Sequence, residues 1–267
     1  MIKRFMLLAA GVAVACAASA TEQVQFDGTS ASWGSWIADE VNGGGGFNYG
    51  PGGWLGELQF TALNPTGQNL FGTSPFNTVC GDLSDEISTN NIYNVTYSDT
   101  ATMVDPYKAA GSIVGYAGSL DSVNGSLSVL SQPQAEGLQL AVWECMYDWT
   151  NDSSINTEAS FEAALTSGSQ KIGNYNDLLS GGVVDAAWSF WQGGLVTGDV
   201  SGGAVNDGLY DSVFIQGAGG VNFNGAGQNQ FAPFRPNHHD VSTPEPFTMG
   251  LGVAGIALFV RKRVKRS

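Results

Sequence analysis

Residues 131–149 read SQPQAEGLQLAVWECMYDW and carry a helical pattern within a chain whose other segments are rich in strand and turn signals. Ser131 with Gln134 three residues later fits a capping box, and Pro133 is tolerated in a first helical turn. The apolar residues that follow recur at helical spacing: Leu138, Ala141, Val142, Cys145, Met146 and Trp149. The pattern predicts a helix with one buried stripe.

Strands and turns are predicted on the N-terminal side of this helix, from Thr21 to about Leu130. The glycine clusters at 43–46 and 50–53 are typical of loops. Three stretches have the character of strands: Trp54–Ala62, Phe76–Cys80 and Ile92–Tyr97.

On the C-terminal side, a second helix is predicted from Glu158 to about Ile172, with Phe161, Ala164 and Leu165 on its buried side. Residues 208–216 have the pattern of a late strand. Residues 217–242 are rich in Gly, Asn and Pro and are predicted to form a linker.

The composition favours a fold dominated by strands. Of the 267 residues 43% are hydrophobic and 37 are glycine, which suits strands and turns better than a helical bundle. We expect an α+β, mostly β, fold: a β-sandwich or barrel-like body over residues 21–216 with an inserted helical region, and a C-terminal hydrophobic anchor helix.

The first 20 residues have the three parts of a secretion signal. Lys3 and Arg4 precede an apolar run, and Ala18-Ser19-Ala20 gives an A-x-A cleavage site. We therefore predict a signal peptide over residues 1–20 and an exported mature chain.

Between its two ends the chain is strongly acidic. Residues 21–246 contain only Lys108, Lys171 and Arg235 against all 24 acidic residues, a formal charge of −21. Such a body repels nucleic acid, so a nucleic-acid partner is excluded.

The last 25 residues, TPEPFTMGLGVAGIALFVRKRVKRS, contain three parts in order. Pro244, Glu245 and Pro246 come first, and the apolar run Phe247–Val260 follows. This run of 14 residues is shorter than the roughly 20 of a comfortable bilayer span. The basic cluster at the end predicts that this terminus stays in the cytoplasm, and it consists of Arg261, Lys262, Arg263, Lys265 and Arg266.

This tail resembles the PEP-CTERM sorting signal of Gram-negative bacteria, with Phe247 where Ser is more usual. The resemblance implies a sorting tail at 243–267 with a short transmembrane helix and an exosortase-type processing enzyme as partner. It also implies a membrane-anchored intermediate, then a place at the cell surface or in the extracellular matrix, with exopolysaccharide and biofilm.

Two cysteines, Cys80 and Cys145, remain after removal of the signal. In an oxidising compartment a single disulfide is the default interpretation. Cys145, however, falls inside the apolar stripe, where a thiol behaves as a small buried hydrophobe. Both interpretations stay open on the residues alone.

The segments FNTVCGDL at 76–83 and GLQLAVWE at 137–144 resemble the Cys and Gln motifs of the bacterial thioester domain, over about residues 45–216. Leu138 stands where that motif has Thr. The resemblance implies an internal thioester between Cys80 and Gln139 that acylates surface amines or hydroxyls. Trp143, one turn later, is placed to shield it. The alternatives are a partly exposed polar residue for Gln139 and simple core packing for Trp143.

We therefore expect a non-enzymatic adhesion or matrix protein without cofactor or metal. The two histidines, His238 and His239, lie in the predicted linker, and no zinc pattern is present. A second hypothesis is a structural or polysaccharide-binding protein with these exposed aromatic residues: Trp33, Trp36, Trp54, Trp188 and Trp191. A third is an extracellular hydrolase, although no catalytic pair can be singled out among 24 acids.

Overall fold

The computed structural model of the chain describes residues 22–30, 36–37, 39–41, 53–81, 87–121, 125–148, 155–167, 170–172, 175–196, 212–220 and 228–233. The predicted signal peptide, with Ala18 and Ala20, and the predicted sorting tail at 243–267 lie outside these ranges. No helix within them is long and apolar enough to cross a membrane.

Ten strands are formed by the described residues. They are β1 (Glu22–Thr29), β2 (Trp36–Ile37), β3 (Asp39–Val41), β4 (Gly53–Trp54), β5 (Leu58–Ala62), β6 (Phe76–Cys80), β7 (Ile92–Asp99), β8 (Gln170–Ile172), β9 (Ser212–Gly220) and β10 (Gln230–Pro233). The strands predicted at Phe76–Cys80 and near Ile92–Tyr97 are confirmed. The stretch predicted at 54–62 is divided into β4 and β5.

Six of these strands close into an antiparallel barrel in the order β1-β5-β6-β10-β9-β7. Alternate residues of a strand face the same side. Apolar side chains two residues apart, such as Val24 and Phe26, are therefore buried together. The predicted barrel-like body is thus a closed barrel. The range predicted as a linker, 217–242, contains the end of β9, which continues to Gly220, and the whole of β10, which closes the barrel.

The helices are α1 (Pro65–Phe71), α2 (Tyr107–Ser119), α3 (Gln132–Asp148), α4 (Glu158–Ser167), α5 (Tyr175–Ser180) and α6 (Val183–Trp191). Helices α2 to α6 lie between β7 and β9, which confirms the predicted inserted helical region. The expected α+β fold is confirmed, but helices hold more of the described residues than strands do, so this part of the chain is mixed α+β and not mostly β. The predicted second helix also ends early, at Ser167, and Gln170–Ile172 form β8 instead.

Helix α3 begins as its sequence predicts and is buried on every side through its middle. The Gln134 side chain accepts hydrogen bonds from the Ser131 backbone N–H and hydroxyl, at 2.9 and 2.8 Å. From Ala135 to Cys145 every residue is buried, polar ones included. The predicted single apolar stripe is therefore too narrow, because α3 lies between the barrel and the other helices.

Gly137 lets α3 approach α6 closely. A Cβ atom at this position would lie 2.7 Å from the Cβ of Ala186 and 2.7 Å from the backbone nitrogen of Ala187. Real side chains do not pack at such distances, so the helices would have to separate.

We expect Gly137→Ala to lower the free energy of unfolding by about 1–3 kcal/mol, the usual cost of overpacking a core. Denaturant unfolding measures it, and Gly181→Ala is the matched control. A Cβ at Gly181 would meet its nearest atom at 3.5 Å, an ordinary contact. Equal stability of the two variants would contradict the close packing of α3 on α6.

Candidate functional site

Cys80 is the last residue of β6 and is 3% exposed. The next residue, Gly81, donates its N–H to the backbone oxygen of Asn229 at 2.7 Å. A Cβ atom on Gly81 would lie 2.8 Å from the ring of Phe231. Glycine therefore follows the cysteine because a larger residue would push the strand end away from its neighbour.

Gln139 lies in the middle of α3 and is 1% exposed. Its side-chain oxygen Oε1 accepts a hydrogen bond from the backbone N–H of Cys80 at 2.7 Å. Its Nε2 donates to the backbone oxygen of the same cysteine at 2.6 Å. The two residues named from the sequence, 59 positions apart, are thus in direct contact, and the partly exposed alternative for Gln139 is wrong.

This pair of hydrogen bonds holds one carboxamide against the backbone of one cysteine. The oxygen and the nitrogen of the Gln139 carboxamide are both held by hydrogen bonds. The carboxamide plane therefore cannot turn without breaking a buried hydrogen bond. The N–H of Cys80 polarises the C=O bond, and a thiol is carried by the same residue. The residue that carries the thiol and the residue that carries the fixed, polarised acyl group are therefore in direct contact, and both are buried.

Trp143 follows Gln139 by one helical turn and is 2% exposed. Its indole Nε1 is buried and has no hydrogen-bond partner among the described residues. An unpaired buried indole N–H costs free energy. The burial of the large apolar surface of the Trp143 ring outweighs that cost here. The burial agrees equally with core packing and with a shielding role.

Cys145 lies on the same helix, but in a different environment. Its Sγ faces the backbone oxygen of Pro106 at 3.7 Å. Burial, followed by the nearby charges of Asp105 and Glu144, raises the pKa of this thiol well above its ordinary value. Cys80 and Cys145 are not joined by a disulfide. Cys145 is therefore a protonated, poorly nucleophilic core residue.

A second buried glutamine neighbours Cys80, and no sequence signal pointed to it. Gln230 is paired with Cys80 across β10 and β6 and is 2% exposed. Its Oε1 accepts from the Thr78 hydroxyl at 2.9 Å, and its Nε2 donates to Gln228 at 3.1 Å. Because both ends of this carboxamide are engaged with other side chains, it serves as a comparison for Gln139.

Glu57 is a buried acid that the alternating pattern of residues 54–62 would have placed on a polar face. Its Oε2 accepts from Ser30 Oγ at 3.1 Å and from Asn77 Nδ2 at 2.7 Å, while Oε1 is buried with no hydrogen-bond partner in the described part of the chain. Desolvation raises the pKa of this carboxyl to about 7, against the smaller opposing effect of the two hydrogen bonds.

The tryptophans proposed as exposed aromatics do not form one surface. Trp191 is buried, and its indole donates to the backbone oxygen of Ile155 at 3.2 Å. Trp188 is partly buried, packed against the core. In the backbone, Trp36 pairs with Trp54 between β2 and β4, and Trp33 lies outside the described residues. The prediction that Trp191 is exposed is wrong.

The described residues contain no group of three or more His, Cys, Asp and Glu side chains arranged to hold a metal ion. Comparison of this chain with protein-family models, with curated proteins and with solved structures finds no match.

Proposed function

We propose that this chain is an exported surface or matrix protein that attaches covalently to its target through a thioester between Cys80 and Gln139. The observation that supports it is the double hydrogen bond between the Gln139 carboxamide and the Cys80 backbone. Its export and sorting rest on the sequence alone: the predicted signal at 1–20 and the PEP-CTERM-like tail at 243–267.

The bond forms when Cys80 Sγ attacks the carboxamide carbon of Gln139. The C–N bond breaks, the thiol proton passes to the leaving nitrogen, and ammonia is released. Negative charge develops on Oε1 during the attack, where the Cys80 N–H already donates at 2.7 Å. A fixed donor at this position stabilises the tetrahedral intermediate in the way an oxyanion hole does.

The stored acyl group is then transferred to an amine or a hydroxyl of the target. The amine nitrogen forms a bond to the Gln139 carbon, the C–S bond breaks, and the amine proton goes to the sulfur. The products are an amide tether and the restored Cys80 thiol. Water would give the hydrolysed carboxylate instead, and the burial of Cys80 and Gln139 disfavours that side reaction.

The experiment is an intact-mass measurement on the whole chain, purified without reductant and then treated with methylamine. We expect a mass one ammonia below that of the unmodified polypeptide, and addition of methylamine at Gln139 in the peptide map. Cys80→Ala removes both signals. Cys145→Ala keeps both, because that thiol is protonated and faces Pro106.

Gln230→Leu is the second control, since this glutamine also neighbours Cys80. The variant keeps the ammonia deficit if Gln139 is the acyl donor. A deficit of two hydrogens would indicate a disulfide between Cys80 and Cys145. That result, or an unmodified mass that methylamine leaves unchanged, overturns the covalent function.

A further inference from the structure

A half-open pocket of about 190 Å³ lies between the end of α1, the start of β6 and the single helical turn at Leu127–Val129. It is smaller than the roughly 300–1,000 Å³ of sites for drug-sized ligands, so it admits about one six-membered ring with its substituents. Its lining contains neither Cys80 nor Gln139, and it is a separate feature of the molecule.

One side of the pocket is an aromatic platform. The rings of Phe71 and Phe76 stack with centroids 4.0 Å apart and an angle of 9° between their planes. Phe71 is buried, whereas Phe76 is only partly covered, and the exposed Pro75 extends the apolar surface beside it. The electron-rich face of an aromatic ring attracts the weakly positive C–H groups of an aliphatic ring laid against it.

The other side is polar and fixed in place. Across the pocket, Ser126 Oγ donates to Ser128 Oγ at 3.0 Å, which leaves the Ser128 hydroxyl hydrogen to donate elsewhere. Groups held in advance lose little entropy on binding.

None of the described residues that line the pocket carries a charge. Residues 21–246 have a formal charge of −21. A field of that sign disfavours acidic ligands such as uronates or sulfated sugars. The pocket therefore suits a neutral molecule with one apolar face and hydroxyl groups around its edge.

We propose that this pocket is a non-covalent binding subsite for a neutral sugar ring, with Phe76 and Pro75 under the ring and Ser126 and Ser128 at its hydroxyls. It differs from the tryptophan surface considered on sequence grounds, because neither Trp188 nor Trp191 is among the described residues that line the pocket. It is also independent of the Cys80–Gln139 reaction.

The test is binding of methyl β-glucopyranoside and methyl β-galactopyranoside to the full-length chain, observed by NMR saturation transfer and by titration. We expect at least one of the two glycosides to bind with a Kd of about 1–10 mM, as suits a single small ring. Methyl glucuronoside is the charged comparison and is expected to bind at least tenfold more weakly.

Ser128→Trp places a large side chain in the pocket from an exposed position and is expected to weaken binding at least tenfold. Val104→Trp, at a site 78% exposed and away from the pocket lining, is the matched control and keeps the wild-type affinity. Cys80→Ala also keeps it, which separates this inference from the thioester. Binding of neither neutral glycoside, binding that persists in Ser128→Trp, or a preference for the glucuronoside overturns the proposal.

Discussion

Replacing Gln139 by Ala in a Cys80→Ala background is expected to lower the free energy of unfolding by about 2–6 kcal/mol. The Cys80→Ala change keeps the backbone and prevents any thioester, so the difference between the single and double variants reports the loss of the Gln139 side chain without a contribution from the thioester. Gln139→Ala removes one buried hydrogen bond from the N–H of residue 80 and one from its C=O, at about 1–3 kcal/mol for each group. Urea unfolding followed by tryptophan fluorescence measures the loss.

Two controls sharpen this result. Gln192→Ala changes an exposed glutamine just after the end of α6 and is expected to alter stability by less than about 0.5 kcal/mol. Gln139→Glu keeps the length and one acceptor of the side chain, and is expected to lose less stability at low pH, where the carboxyl is protonated and can donate. A loss below about 1 kcal/mol for Gln139→Ala would mean that water or a neighbour satisfies the Cys80 backbone.

Glu57→Gln is expected to raise the free energy of unfolding at pH 8 by about 3 kcal/mol and to leave it unchanged near pH 4. The folded protein holds the carboxyl with a pKa of about 7 against an ordinary 4.5. Between these values the folded state keeps a proton that the unfolded state has released, so stability falls as the pH rises through this window and is level above it. One pKa unit corresponds to about 1.36 kcal/mol, so the rise of the Glu57 pKa from 4.5 to about 7 corresponds to about 3 kcal/mol of stability.

The measurement is the difference in urea unfolding free energy between wild type and Glu57→Gln from pH 4 to 9. Glutamine keeps an acceptor for Ser30 and Asn77 without a charge to desolvate. Glu158→Gln, on the exposed side of α4, is the control and should run parallel to wild type. A Glu57→Gln curve that is also parallel to wild type would show that this carboxyl is solvated in the folded protein.

The elements nearest the candidate site were the ones that the sequence predicted best. Strand β6 and helix α3 have strong local signals: a short β-branched run that ends at Cys80, and a capping box followed by apolar residues at helical spacing. Local chemistry dictates both. That Gln139 meets Cys80 came from a resemblance in sequence, since spacing along the chain cannot place a helix beside a strand.

Helix α2 and the burial of Glu57 had no such local signal. Residues 107–119 read YKAAGSIVGYAGS, and three glycines argue against a helix on intrinsic propensity. The structure shows why glycine is used: a Cβ at Gly111 would overlap Thr100, and one at Gly118 would overlap Pro233. Glu57 likewise satisfies an alternating pattern, yet its burial depends on Asn77 of β6 and on Ser30, the residue after β1.

The closure of the barrel also sets an order of events during synthesis. Strands β6 and β7 complete their pairing only with β10 and β9, which are encoded more than a hundred residues later. A nascent chain that ends before Ser212 therefore presents two unpaired edges, which are prone to pair with other chains. Cys80 lies at the end of one of them, so the pairing of the strand that carries the candidate thiol is completed only when β10 has been synthesised.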